Sequence, residues 1–360
     1  MNFRRLPLAL TVAVASLGTA CDGGDKKSKS DATTADSAKP KTNLEKAIQG
    51  AAAASAAASS QGQGPPQNGV FAPGAADAEQ AASAPPKLTM VRTGDGPKVT
   101  LERTPPQPGS KFVASVTATA FLGPLPGMIY ELEVGGGKAD AKAKAAAKAD
   151  ATSDDAGERR VVIKIKSAKL DPKWPGKLQE GGEKLLAKLA GGTISGVLGD
   201  DGGLRGPRLE VGKDATEVAP IAEPLLEMLD VLFVPLPAEP VSSGASWLVA
   251  DRARLGGIDV VRYRAATLQK LEGDVVVLGV DVRHYAASSA SVPEGLPSGV
   301  EALRLESFAQ ATLTRRLADS TSLGAKLSLP VDLVIGKGGN PAGQLRSELR
   351  AVLEPVEGGK

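Results

Sequence analysis

Apolar residues recur at every second position in one segment after another from residue 111 onward, and that period commits most of the chain to β-structure. The clearest case is Leu323 to Ile335, where Leu327, Leu329, Val331, Leu333 and Ile335 share one face and Ser328 and Asp332 lie on the other. This is the pattern of a half-buried strand. Arg160 to Lys166 alternates apolar with basic residues, Lys111 to Thr117 is rich in strand formers, and Asp274 to Val282 is a longer apolar run. Pro330 cannot donate to a ladder, which places the 323–335 strand at a sheet edge or on a bulge. Strands of this kind with Gly-containing turns predict a mainly β (α+β) fold built on curved antiparallel sheet.

Helices are few. Ala219 to Phe233 sets Ile221, Leu225, Leu229, Leu232 and Phe233 on one face, with Pro220 or Pro224 in its first turn and Pro235 beyond its end. The expectation is a helix covering one face of a sheet; the functional alternative is a lid over a lipid-sized cavity. Lys177 to Leu189 is a weaker helix candidate, interrupted by Gly181-Gly182. Gly109-Ser110-Lys111-Phe112 and Gly244-Ala245-Ser246-Trp247 each open a strand run, and a Val-rich strand follows each, starting with Glu158 or Asp274. The folded region therefore reads as two similar halves, 87–214 and 215–355, the second carrying the helix. Duplication and chance similarity both remain open. Residues 135–157 hold Ala, Lys and Asp but no large apolar group, which suits a solvated hairpin extension of the first half.

Residues 21–86 have a different composition. Asp22 to Lys46 contains one large aliphatic residue, Leu44; Ala51 to Ser60 is Ala and Ser; Gln61 to Gln67 is Gly, Pro and Gln with little else. Such a stretch cannot bury enough apolar surface to offset its ordering entropy, so it is expected to be a disordered low-complexity tether. At about 5–6 Å times the square root of its length, it reaches roughly 40–50 Å.

The extreme N-terminus has the order of an export signal. Arg4-Arg5 precede the apolar run Leu6 to Leu17, and Gly18-Thr19-Ala20 lead to Cys21, so 1–20 is read as a signal peptide. The apolar run is too short for a span that needs about 20 residues. Cys21 is the single cysteine, so no intramolecular disulfide can use it in an oxidising compartment; a lipid thioether accounts for it. Gly18 and Ala20 also satisfy ordinary secretory cleavage, which would give a soluble periplasmic or secreted protein. The segment Leu17 to Cys21 resembles the lipobox of bacterial lipoproteins, although Gly18 stands where that family usually places Leu. With the Ala/Ser/Gln/Gly tether and the Gly-x-x-Trp opening at 244–247, the chain resembles the tethered β-rich envelope lipoproteins of gram-negative bacteria. The resemblance implies lipidation at Cys21 and a membrane-anchored domain facing the periplasm or the surface.

Signals for chemistry are thin. The formal charge is +2 and aromatics make up 3% of the chain, so both the one-signed groove and the stacking platforms of nucleic-acid binders are missing. Arg252, Arg254, Arg262 and Arg264 alternate, which reads as a solvated basic stripe on one sheet face. Trp174 and Trp247 could each serve one sugar-stacking site. His284 is the only histidine; alone it cannot build a His-rich zinc site, no Gly-x-Ser-x-Gly elbow accompanies it, and it reads as a strand-end residue. Gly176-Lys177, Gly212-Lys213 and Gly336-Lys337 lack the following Ser or Thr of a phosphate loop. Gly199 to Gly203 and Gly336 to Gly343 read as turns, the first lacking calcium-loop spacing. No cofactor, metal or catalysis is expected. The leading expectation is a lipid-anchored, non-catalytic β-rich binding or structural domain whose partner is an envelope protein or a lipid. The alternative is a carrier of lipid or another hydrophobic ligand in a cavity formed by the curved sheet, and the third reading is a hydrolase using His284.

Overall fold

The computed structural model describes residues 65–101, 107–135, 159–174, 182–316 and 322–356. The signal segment, Cys21, the chain up to residue 64 and the insertion at 136–158 lie outside the described residues. The strands are β1 (Lys87–Arg92), β2 (Lys111–Ala120), β3 (Gly123–Pro124), β4 (Met128–Val134), β5 (Arg159–Leu170), β6 (Thr193–Leu198), β7 (Leu204–Glu210), β8 (Ser246–Leu255), β9 (Ile258–Glu272), β10 (Val275–Ala286), β11 (Glu301–Arg316), β12 (Ser322–Lys337) and β13 (Asn340–Pro355). The helices are α1 (Ala75–Glu79), α2 (Gly182–Ala187) and α3 (Ala219–Leu232). The expected mainly β fold is present, and α3 begins at the residue its amphipathic pattern gave.

All strands join one antiparallel sheet in the order β1-β8-β9-β10-β11-β12-β13-β2-β4-β5-β6-β7, with β3 beside β2. Its two edges do not meet. The order consists of two up-and-down meanders laid end to end, the last strand of the second pairing with the first strand of the first through Leu349–Ala118 and Ala351–Val116. The two Gly-x-x-aromatic motifs sit at equivalent places. Each opens a meander, each begins on a left-handed glycine (Gly109 φ 87°, Gly244 φ 79°), and each aromatic, Phe112 or Trp247, is buried on the inner face. The Val-rich strands β5 and β10 are third in their meanders if the two-residue β3 is set aside.

Twelve strands laid flat at about 4.8 Å would span more than 50 Å, yet their inner side chains form one core with α3. The sheet must therefore curl. Phe121, at the β2–β3 corner, lies against the Gly256 backbone of the β8–β9 turn, where a Cβ would come within 3.0 Å of the ring, although β2 and β8 are six places apart in the sheet. Helix α3 lies in the concavity and touches β7, β2 and β11.

Three expectations are corrected. β12 is an interior strand between β11 and β13, not an edge. Its pairing with β11 runs to Gln310–Ser328 and resumes at Ser307–Val331, so Pro330 is unpaired on that side while it pairs with Glu348 of β13 on the other; the missing N–H costs a local gap rather than the strand's place. The unpacked stretch does not extend to residue 86. Residues 65–80 lie on the outer face, where Phe71 and Ala76 are buried against Leu248, Val261 and Tyr263, Tyr263 donates to Glu79 Oε1 at 2.7 Å, and the Phe71 N–H donates to the Ala286 carbonyl at 2.9 Å. Phe71 supplies an apolar anchor that the low-complexity composition around it concealed. The 177–189 helix candidate is described only as the six-residue α2.

The turn expectations hold. Gly338-Gly339 joins β12 to β13 with both φ angles positive, 56° and 78°, the geometry of a tight hairpin that glycine adopts without strain. At Gly199–Gly203 the Gly199 N–H donates to the Gly203 carbonyl at 2.9 Å, closing the β6–β7 hairpin.

Candidate functional site

Alternation along β8 to β11 places polar residues on the inner face, in register across four strands. Asp251 of β8 pairs with Arg262 of β9, and Arg262 pairs with His284 of β10. The ladder continues to Ser307 of β11, whose Oγ is 2.7 Å from His284 Nδ1. Arg264 stands two residues further along β9 on the same face. All five are buried.

Asp251 is the hub. Its Oδ1 accepts from Arg262 Nε at 2.9 Å, and its Oδ2 accepts from Arg262 Nη2 and Arg264 Nη2, both at 2.6 Å. Arg262 also donates to Asp230 of α3 at 2.5 Å. Arg264 donates to the backbone carbonyls of Asp230 at 3.1 Å and Phe233 at 3.4 Å, placing a cation at the C-terminal end of α3, where carbonyls are otherwise orphaned and the helix dipole is negative. Two arginines and two aspartates make the cluster neutral. Burial pushes Asp251 up, but Arg262 and Arg264 outweigh it and hold the carboxyl below its usual range. Burial lowers Arg264 to about 10, aided by Arg262 beside it, and it remains a cation near neutrality. His284 falls to about 3, through burial first and then Arg262, so it is neutral.

The expected basic stripe is therefore wrong in two respects. Arg262 and Arg264 point inward and are 3% and 1% exposed, while Arg252 occupies the outer face, paired with Asp259 at 2.7 Å and Asp77 at 3.0 Å. His284 lies near the end of β10, as expected, and is buried inside the ladder. Nor does the ladder form a hydrolytic triad. Both oxygens of Asp251 are taken by arginine, so no carboxylate orients His284 in the way a triad needs, and Ser307 is buried. Trp247 is fully buried, with its indole N–H donating to the Pro235 carbonyl at 2.8 Å, so it cannot stack on a sugar.

A recess lies between α3 and the middle of the sheet. Phe112, Leu132, Ile163, Leu313 and Leu353 form its sheet side, and Leu229, Leu232 and Phe233 its helix side. Its interior measures about 50 Å³ on the scale that allots a water about 10–15 Å³, room for three or four waters. With its open mouth the unfilled space is about 590 Å³. Helix α3 thus covers the sheet face as expected, and with the helix in this position the cavity is not lipid-sized. One charged side chain lines it, Arg315 of β11. The inner-face alternation of Ala309, Ala311 and Leu313 carries on to this arginine, and the sequence reading passed over it. Four positions of period 2 ending in Arg, where an aliphatic residue was due, were the available signal.

No family model and no curated protein matches the chain. A solved structure described as lipid–protein interactions in lipovitellin is similar over 69% of this chain, at 11% identity and a TM-score of 0.40, and the chain spans 25% of that chain's length.

Proposed function

We propose that the domain is a non-enzymatic binding module that takes a hydrophobic or amphipathic ligand on the concave face of the sheet, beneath α3, and that a lipid on Cys21 holds it at a bacterial envelope membrane. The observation that carries the ligand reading is the recess: an apolar wall on the sheet, an apolar wall on the helix, and one arginine side chain in its lining. Ligand pockets have this make-up, mostly apolar with few polar groups, at roughly 300–1,000 Å³. The enclosed part falls short of that range, so a chain-like ligand must displace the C-terminal half of α3 outward. The ladder supports a non-catalytic reading, since its hub carboxylate is saturated and its histidine is neutral and buried.

Native mass spectrometry of the full chain extracted from its original host tests the proposal. The expected result is a co-purified hydrophobic ligand, removed by organic extraction and restored on adding it back. Leu229→Trp, which fills the recess, should abolish uptake. A protein that carries no ligand, and takes up none after extraction, refutes the module. The mass of the mature N-terminal peptide tests the anchor: a bare Cys21 refutes lipidation and leaves the ligand proposal standing.

A further inference from the structure

Arg315 is out of keeping with its surroundings. Every other residue lining the recess is apolar. Its pairing partner on β10 is Val276, which is buried, and no ion pair or hydrogen bond reaches its guanidinium from among the described residues. The other inner-face arginines are matched: Arg262 and Arg264 share Asp251 and Asp230. Those acids cannot serve Arg315. Ser307, which marks the ladder on β11, is eight residues away along the same strand, about 27 Å at 3.4 Å per residue. Its neighbour Arg316 pairs with Asp274 at 3.4 Å, so the charge at 316 has a counter-ion, whereas among the described residues the charge at 315 has none.

Arg315 is half-buried and lines the recess. Burial lowers its pKa. A guanidinium does not escape this by releasing its proton, and a half-buried charge without a partner among the described residues is a cost to the fold. A residue with this cost at the rim of an apolar recess is explained when an anion completes it. The fork of donors on arginine matches a carboxylate or a phosphate bidentately.

We propose that Arg315 receives the anionic head of an alkyl amphiphile whose chain occupies the apolar recess under α3. This rests on the ligand-binding reading above and adds to it the class of ligand: a single hydrocarbon chain ending in a carboxylate or a phosphate. Phe112, Leu132 and Leu353 contact the chain from the sheet, and Leu229 and Phe233 contact it from the helix.

The test uses the full chain, stripped of bound lipid, titrated with palmitate, hexadecyl phosphate and hexadecanol. These share one chain and differ in the head. The wild type is expected to bind at least one of the two anions ten-fold or more tighter than the alcohol, and which one it prefers identifies the head. Arg315→Met should weaken anion binding at least ten-fold while leaving hexadecanol within two-fold, and Arg315→Lys should restore part of the loss. Arg315→Met should also melt at or above the wild-type temperature, because it removes a half-buried charge that no described residue pairs. Binding of all three probes that Arg315→Met leaves unchanged overturns the assignment of Arg315 while the ligand reading survives. Failure of all three probes to bind the wild type overturns both.

Discussion

Removing the hub carboxylate is the sharpest test of how α3 is held in the sheet. Asp251→Ala deletes three hydrogen bonds from guanidinium nitrogens, at 2.9, 2.6 and 2.6 Å, and changes a buried cluster of two cations and two anions into one with net charge +1. Leaving a buried charge uncompensated costs about 3–5 kcal/mol. A folded unit of about 290 residues, at roughly 2.1 cal/mol/K per residue, has an unfolding entropy near 0.6 kcal/mol/K, so the midpoint should fall by about 5–8 °C. Calorimetry of the full chain reads this directly. Asp259→Ala is the matched control: it also breaks an arginine pair, but Asp259 is 48% exposed, and an exposed pair contributes about 0–1 kcal/mol. The double variant Asp251→Ala/Arg264→Met restores neutrality and keeps the Arg262–Asp230 pair, so it should recover at least half of the loss. A drop below 2 °C for Asp251→Ala, or no recovery in the double variant, would refute the claim that Asp251 neutralises two buried arginines.

Two further predictions concern pH and the outer face. His284 is the chain's single histidine, and its pKa falls from 6.5 to about 3 on folding. The unfolded chain therefore takes up a proton that the fold refuses, and the contribution of His284, complete above pH 6.5, falls by about 1.4 kcal/mol per pH unit down to pH 3. Glu227 acts in the opposite sense: burial raises it from 4.5 to about 7, against the Gly256 N–H bond that lowers it, so its stabilisation is present below pH 4.5 and lost as pH rises to 7. The two slopes oppose each other between pH 4.5 and 6.5, so on acidification over that range the urea midpoint should rise in His284→Gln and fall in Glu227→Gln; flat profiles in both contradict the assignment. On the outer face, Phe71→Ala removes the anchor of the 65–80 segment at a cost of about 3–5 kcal/mol. Hydrogen exchange should show residues 65–80 losing protection while β9 and β10 keep theirs; loss of protection in both would mean the segment belongs to the main cooperative unit.

Much of the fold is written locally in the sequence. Period 2 marked β2, β5, β10 and β12 because one face of each meets the core, and α3 was marked by its apolar stripe and prolines. Alternation tells which residues share a face, but not what covers that face. Arg262 and Arg264 alternate with Val261, Tyr263 and Ala265, and either set could have pointed to water. In the fold α3 covers one face of β9 and the 65–80 segment covers the other, so Arg262 and Arg264 are buried on one side and Val261 and Tyr263 on the other. The partners that make this tolerable, Asp230 and Asp251, come from a helix and a neighbouring strand, and only the tertiary arrangement brings them together. Pro330 misled for a related reason: its missing N–H weakens one side of a strand, and a long ladder on the other side, thirteen paired positions with β13, still holds the strand in the interior.

The ladder and the recess make opposing demands on α3, and the opposition sets a chain-length dependence for the proposed ligand. Leu229, Leu232 and Phe233 must move outward to admit more than three or four waters' worth of ligand, and Asp230 lies within the same turn. Moving it away from Arg262 strands a positive charge in the ladder, at about 3–5 kcal/mol. Burying alkyl chain returns about 0.8 kcal/mol per methylene, so roughly four to six methylenes are consumed in opening the site before any net affinity appears. Octanoate should therefore bind far more weakly than its length alone predicts, whereas dodecanoate and palmitate should gain affinity steadily with each added carbon. Asp230→Asn removes the charge that α3 must leave behind, raises the population of the open form, and should strengthen octanoate and palmitate binding by the same factor, since both chains bear the same opening cost. Titration of both acids against both proteins decides it. If Asp230→Asn changes neither affinity, the arginine–aspartate ladder is not what keeps the recess closed.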